Sequence, residues 1–277
     1  MGVLVTDAAS LVGAAVAEAL LRRGTSVAGR VRPRLGADPR LAQARLARLA
    51  PLPGYTRLDE TALPEDVSAV VHVVEPVGRW TPTEAARRLD DALALLDQCR
   101  QRLPEPLHLV LVAQAAVPEE IIGHAFARRH GVPVTSIRAM DVYAAEEEPD
   151  QLCQRLADAL AAGRPLLLPA SDAVMPLWLD DAVAGVLAAL DRPPGGAPPF
   201  RRWHLAGPEA ISPRELAELL ARALEVEIAG ELPLAAKSDA LPDSETLALT
   251  QQALDWQPTV GLADGMAHFA AWHRSRR

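Results

Sequence analysis

Short apolar runs and longer amphipathic stretches alternate along the first half of the chain. Val3 to Thr6 is an apolar run ending in a turn. From Leu11 the apolar positions recur at helical spacing through LVGAAVAEALLRRG, with Arg22 and Arg23 in the last turn and Gly24 as the stop. Val27 to Arg30 reads as a second short strand. Residues 33–65 are rich in proline and arginine, and only a weak helix over 38–49 stands out there. Strands are then predicted at Ala69 to Val74, Leu107 to Val112 and Val132 to Ile137. Between them lie a long amphipathic helix, Pro82 to Arg102, with proline in its first turn, and a second, Pro118 to His130. The strands are continuously apolar rather than alternating, which predicts a parallel sheet covered on both faces.

Past about residue 145 the pattern changes. Helical periodicity appears at 150–162, 181–191, 213–224, 245–255 and 263–274, separated by proline- and glycine-rich stretches. GRPLLLPA and PPGGAPPF read as turns or surface loops. The expected fold class is therefore α/β, a doubly wound parallel sheet over residues 1–145 with a smaller C-terminal α/β lobe. Residues 146–277 supply most of that lobe, and some of their elements return to the main domain. No internal repeat is evident.

Composition narrows this picture. Hydrophobic residues make up 49% of the 277 and aromatics only 4%, so Leu, Val and Ala must fill the core. A formal charge of −8 argues against a nucleic-acid surface. No run of 18 apolar residues suggests a membrane span, and the start, MGVLVTDAAS, lacks the basic region of a signal peptide. Cys99 and Cys153 lie far apart and read as ordinary thiols, so a cytoplasmic location is expected. Lys237 is the one lysine, and Tyr55 and Tyr143 are the two tyrosines. The histidines show no metal-ligand spacing, and no Gly-x-Ser-x-Gly elbow is present.

Several segments, in order, carry a family resemblance. VLVTDAASLVGAAVAEALLRRG (Val3 to Gly24), DVSAVVHVV (Asp66 to Val74) and GVPVTSIRAMDVYA (Gly131 to Ala144) resemble the first, fourth and sixth strand regions of extended short-chain dehydrogenases, the NAD-dependent epimerase/dehydratase family. LWLDDAVAGVLAAL (Leu177 to Leu190), WHLAGPEAISPRELAELL (Trp203 to Leu220) and ALDWQPTVGLADGM (Ala253 to Met266) resemble its later segments, the second of these as the start of the substrate lobe. The resemblance implies a Rossmann-like fold and a homodimer formed through the helices at 82–102 and 118–130.

The family's T-G-x-x-G-x-x-G turn becomes Thr6, Asp7, Ser10 and Gly13 here. Gly13, needed for close packing of helix on strand, is kept. The two glycines that let a backbone approach pyrophosphate are not. This leaves two readings, a modified nucleotide site or a retained turn. By resemblance the cofactor contacts, if one binds, are Thr6, Asp7, Ser10, Leu11, Val12 and Gly13. Arg30 and Arg32 flank the place where NAD-binding members carry an acid, which would favour the 2′-phosphate of NADP.

The family's catalytic set is Ser with Tyr-x-x-x-Lys. Four residues after Tyr55 stands Asp59, and four after Tyr143 stands Glu147. The pair that would lower a tyrosine pKa for proton exchange is therefore missing. The usual serines after the fifth strand are Ala113 and Gln114. Glu75, Asp141 and Tyr143 are the candidate acid–base groups at strand ends, with Gln114, Met140 and Trp178 lining the cleft. The acidic run Glu146 to Glu148 reads as a solvated loop, and Asp180 and Asp181 as helix-capping residues.

The expected function is a small-molecule-binding, regulatory or accessory protein without redox chemistry. The alternatives are an NADP-dependent reductase or epimerase with altered catalytic residues, or a non-redox isomerase or cyclase in the same cleft.

Overall fold

The computed structural model describes residues 2–31, 38–59, 62–74, 81–102, 106–232 and 241–276. The first half runs β1 (Gly2–Val5), α1 (Leu11–Arg22), β2 (Ser26–Arg30), α2 (Pro39–Leu49), β3 (Tyr55–Leu58), β4 (Val67–Val74), α3 (Pro82–Arg100), β5 (His108–Ala113), α4 (Pro118–His130) and β6 (Val134–Ala139). Then follow β7 (Val142–Tyr143), α5 (Leu152–Ala161), β8 (Leu166–Leu167), β9 (Leu177–Trp178), α6 (Leu179–Leu190), β10 (Phe200–Leu205), α7 (Pro213–Leu224), β11 (Glu231–Leu232), α8 (Ser244–Leu254) and α9 (Leu262–Ser275).

Seven strands form one parallel sheet in the order β10-β6-β5-β4-β1-β2-β3. Strand order reverses between β1 and β4, and in such sheets ligands bind beyond the carboxyl ends of the strands at that switch point. The apolar strands are buried on both faces, as their composition requires. Val3, Val5, Val71 and Val110 face one layer with α1 and α6, while Leu4, Val70, Val74 and Leu111 face the other with Leu95 and Leu96 of α3. Local chemistry sets the helix starts. Asp38 caps α2 by accepting the Arg40 N–H, and Thr81 with Glu84 forms a full capping box on α3. At the end of α4, Gly131 takes the left-handed conformation (φ 69°) that closes the last turn.

The later chain serves two places. Helices α5, α7 and α9 pack around Leu156, Leu216, Leu220 and Phe269 as a second core. Helix α6 instead packs on the main sheet layer, and β10 pairs with β6 from Phe200 to Leu205. The strand read from sequence as the start of the substrate lobe is thus the edge of the main sheet. Its Phe200 lies in the stretch read as a surface loop. Strand β3 fell within the residues that periodicity could not assign, because an exposed four-residue edge strand has little apolar pattern.

Asp181 does not cap α6; Trp178 holds the N-cap position and makes no side-chain cap bond. Asp181 sits buried in the first turn instead. Its carboxylate accepts the Thr259 hydroxyl (2.7 Å) and the Val260 N–H (3.0 Å), while the Trp256 indole N–H donates to its carbonyl (2.9 Å). This ties the closing segment onto the main domain. No helix among the described residues is long and apolar enough to cross a membrane.

Candidate functional site

The turn from β1 into α1 lies at the switch point. Thr6 N–H donates to the Val71 carbonyl (3.1 Å), and Ala8 N–H to the Arg30 carbonyl (3.0 Å), so the turn is fastened to β4 and β2. Ser10 Oγ donates to the Asp7 carbonyl (2.8 Å) and accepts the Gly13 N–H (2.9 Å). A Cβ on Gly13 would stand 1.9 Å from that Asp7 carbonyl oxygen, which is why only glycine fits. Beneath the turn, Thr6 Oγ1 lies 2.9 Å from His72 Nδ1, both buried.

Beyond the strand ends is a cavity of about 30 Å³, with Ser10, Gln114, Glu148 and Gln151 as its polar lining and Val12, Val73 and Ala113 among its apolar walls. It has room for a water or two but not for a nicotinamide ring. The sequence candidates Ser10, Leu11, Val12 and Gln114 are brought together here.

Two residues that sequence reading did not place at the cleft, Glu148 and Gln151, line this cavity, and Arg45 of α2 holds Glu148 from behind. The Arg45 guanidinium is fully buried and pairs with Glu148 (2.5 Å). It also donates to the carbonyls of Ala9 (3.1 Å) and Glu146. The second oxygen of Glu148 accepts the Asp38 N–H (3.1 Å). Arg48 adds an exposed pair with Glu146 (2.8 Å). The acidic run 146–148 is therefore not a solvated loop, since Glu147 and Glu148 are both buried. The available signal was charge complementarity: three consecutive acids, and one amphipathic helix carrying Arg40, Arg45 and Arg48.

Glu147 points into the second core. It accepts the N–H groups of Cys153 and Gln154 at the start of α5, which has no other side-chain cap. Burial pushes its carboxyl well above the usual carboxylate range, and the neighbouring charges of Asp141 and Asp150 add to this.

Asp141 follows β6 in the left-handed conformation (φ 41°), unusual for a residue other than glycine. Burial raises its carboxyl pKa, and the Met175 N–H bonded to it opposes that rise. Tyr143 lies in the second core, 1% exposed, not on the cleft rim. Its ring meets Trp178 edge-on at 5.3 Å, its hydroxyl fills the space above Gly265, and burial pushes its phenol up. Trp178 belongs to that aromatic contact, and Met140 packs with Met175 and Ala206 in a small separate cluster. Arg30 is buried and reaches the Ala62 carbonyl (3.4 Å). Glu75 and Arg32 lie outside the described residues.

The turn keeps two parts of a dinucleotide-binding frame, while Asp7 and Ser10 stand at its other glycine positions. The N-terminus of α1 points at the switch point, and Gly13 permits the close approach of turn and helix that such a site needs. Glu148 lines the small cavity beyond this turn.

No protein-family profile matches the chain. Its sequence is similar to UDP-glucuronate 4-epimerase 1 of Arabidopsis thaliana, 22% identical over 99% of this chain and 77% of that protein. UDP-glucuronate 4-epimerase 4 of the same plant is 23% identical over 99% of this chain and 75% of its own. In fold it is similar to a UDP-glucuronic acid 4-epimerase from Bacillus cereus solved with UDP-glucuronic acid and NAD (TM-score 0.82, 17% identity, 100% of both chains). A dTDP-glucose 4,6-dehydratase from Streptomyces venezuelae solved with NAD is also alike (TM-score 0.79, 17% identity, 100% of this chain and 98% of that one). The resemblance to the extended short-chain dehydrogenases thus holds in sequence relatives and in fold. These relatives correct one expectation. The missing Tyr-x-x-x-Lys pair pointed to a binding or accessory protein, whereas the chain's relatives over nearly its whole length are epimerases, and its neighbours in fold bind NAD. Absence of one catalytic pair removes one chemical solution, not the function class.

Proposed function

We propose that this chain, a relative of the NAD-dependent epimerases and dehydratases, is a nicotinamide-dependent epimerase or reductase of a nucleotide-linked sugar that moves its protons through residues other than Tyr-x-x-x-Lys. The observation that carries the reading is the near full-length similarity to UDP-glucuronate 4-epimerases on a sheet whose switch point keeps the turn, the helix N-terminus and Gly13.

A bound nicotinamide would supply hydride acceptance and return. The chain's own residues do the rest. The N–H groups at the start of α1 would bind the diphosphate, and Val12, Val73 and Ala113 give the cleft an apolar wall. Gln114, standing where the family places serine, orients a sugar hydroxyl by hydrogen bonding. Asp141, just after β6, is the proton-exchanging group of this reading, and burial raises its carboxyl pKa. Glu75, by its place after β4, is the second carboxylate of this set. Arg30 and Arg32 select the 2′-phosphate form, NADP. The chain forms a homodimer through α3 and α4, where Leu93 and Ile121 are exposed.

The test is incubation of the purified chain with NAD or NADP and UDP-glucuronic acid, followed by NMR of the C4 configuration. The expected result is inversion at C4, slowed about 10²- to 10⁴-fold by Asp141→Asn. No conversion of UDP-glucuronic acid, UDP-glucose or dTDP-glucose with either cofactor would overturn the reading.

A further inference from the structure

We propose that Arg45 is the pyrophosphate-binding residue of this chain, and that Glu148 is an internal anion holding its place until a dinucleotide displaces it. The inference rests on the nicotinamide-dependent reading above. Arg45 lies on α2, yet its guanidinium reaches the carbonyl of Ala9, one residue before the cap of α1. The positive end of a helix dipole and a buried guanidinium therefore converge on one point. A guanidinium presents the same fork to a carboxylate as to a phosphate.

Glu148 fills that fork at 2.5 Å, and its side chain walls the small cavity beyond the strand ends. Leaving a buried arginine without an anion is costly, so Glu148 stays at the guanidinium until another anion arrives. An entering diphosphate meets no such penalty, because it exchanges one anion for another at the same guanidinium. As Glu148 leaves, the segment 146–151 lifts with it. That segment also contributes Gln151 to the lining, so its movement enlarges the cavity for the rest of the ligand. The carbonyl of Glu146, now bonded to Arg45, is released in the same step.

The test compares wild type, Glu148→Ala and the double variant Arg45→Gln/Glu148→Ala by calorimetric titration with ADP and with NADH at one fixed salt concentration. The double variant is used because Arg45→Gln alone would strand a buried carboxylate. Glu148→Gln, which keeps the volume and removes the charge, replaces Glu148→Ala if melting shows the alanine variant unfolded. Both ligands are expected to bind the Glu148 variant at least tenfold tighter than wild type, and the double variant is expected to lose that gain. Equal affinity of wild type and the Glu148 variant overturns the proposal, as does a gain that survives loss of Arg45 or no ADP binding to any variant at millimolar concentration. If ADP follows the expected pattern while NADH does not bind, the anion site stands and the nicotinamide-dependent reading falls.

Discussion

Single residues show how burial sets chemistry in this protein. His108 opens β5 with its Nε2 2.9 Å from Thr135 Oγ1, and burial lowers its pKa to about 4. An unfolded histidine titrates near 6.5, so between these values the unfolded chain binds the extra proton. The contribution of His108 is therefore complete above about pH 6.5 and is lost as pH falls towards 4, by about 3 kcal/mol at most. Urea midpoints measured from pH 7 to pH 4 should fall more steeply for wild type than for His108→Gln; parallel curves would refute this. Arg30 bears on cofactor choice. Arg30→Ala is expected to weaken NADPH about 10- to 150-fold and leave NADH unchanged, since a guanidinium–phosphate contact contributes about 1.5–3 kcal/mol. Equal loss for both cofactors in parallel titrations would remove Arg30 from that role. The positions of Gly13 in the turn and Gln114 at a strand end were legible because turn and strand could be counted along the chain. Tyr143 was misplaced because a strand-end position does not reveal which core a side chain enters.

At the scale of elements, the closing segment after α8 depends on one carboxylate. Asp181→Ala leaves the Val260 N–H and the Thr259 hydroxyl without their acceptor while the Trp256 bond to the main chain persists. The expected cost is about 1–3 kcal/mol, for two part-buried hydrogen bonds to a carboxylate lost. Thermal melting checks it, and a change within 0.5 kcal/mol would show that the segment is held by Trp256 packing alone. Helix α2 was visible in sequence only as a weak periodic stretch, and its partner run 146–148 only as acidic. Their pairing spans about a hundred residues of chain, and nothing in local periodicity reports such a contact. Strand β10 shows the same limit. It was read as a strand only through the family resemblance, and whether it joined the sheet or began the second lobe depended on the edge that β6 left open.

For the molecule as a whole, the exposed apolar residues on α3 and α4 bear on assembly. Ile121 is 74% exposed and Leu93 39%. A second copy covering this face is expected to give a dimer mass in solution. Ile121→Asp should shift that mass towards the monomer without lowering helix content, and a concentration-independent monomer in wild type would end the idea. The parallel sheet and the alternation of its central strands and helices follow from the sequence alone, because continuous apolar runs must be buried on both faces, while the clash with Asp7 that reserves position 13 for glycine is visible only in the fold. The loss of Tyr-x-x-x-Lys is likewise a matter of counting. The state of the cleft was decided only by tertiary structure. Charges far apart in sequence find each other when burial removes the water that would otherwise solvate them separately, so the Arg45–Glu148 pair exists only once α2 and the segment after β7 are folded against the same turn.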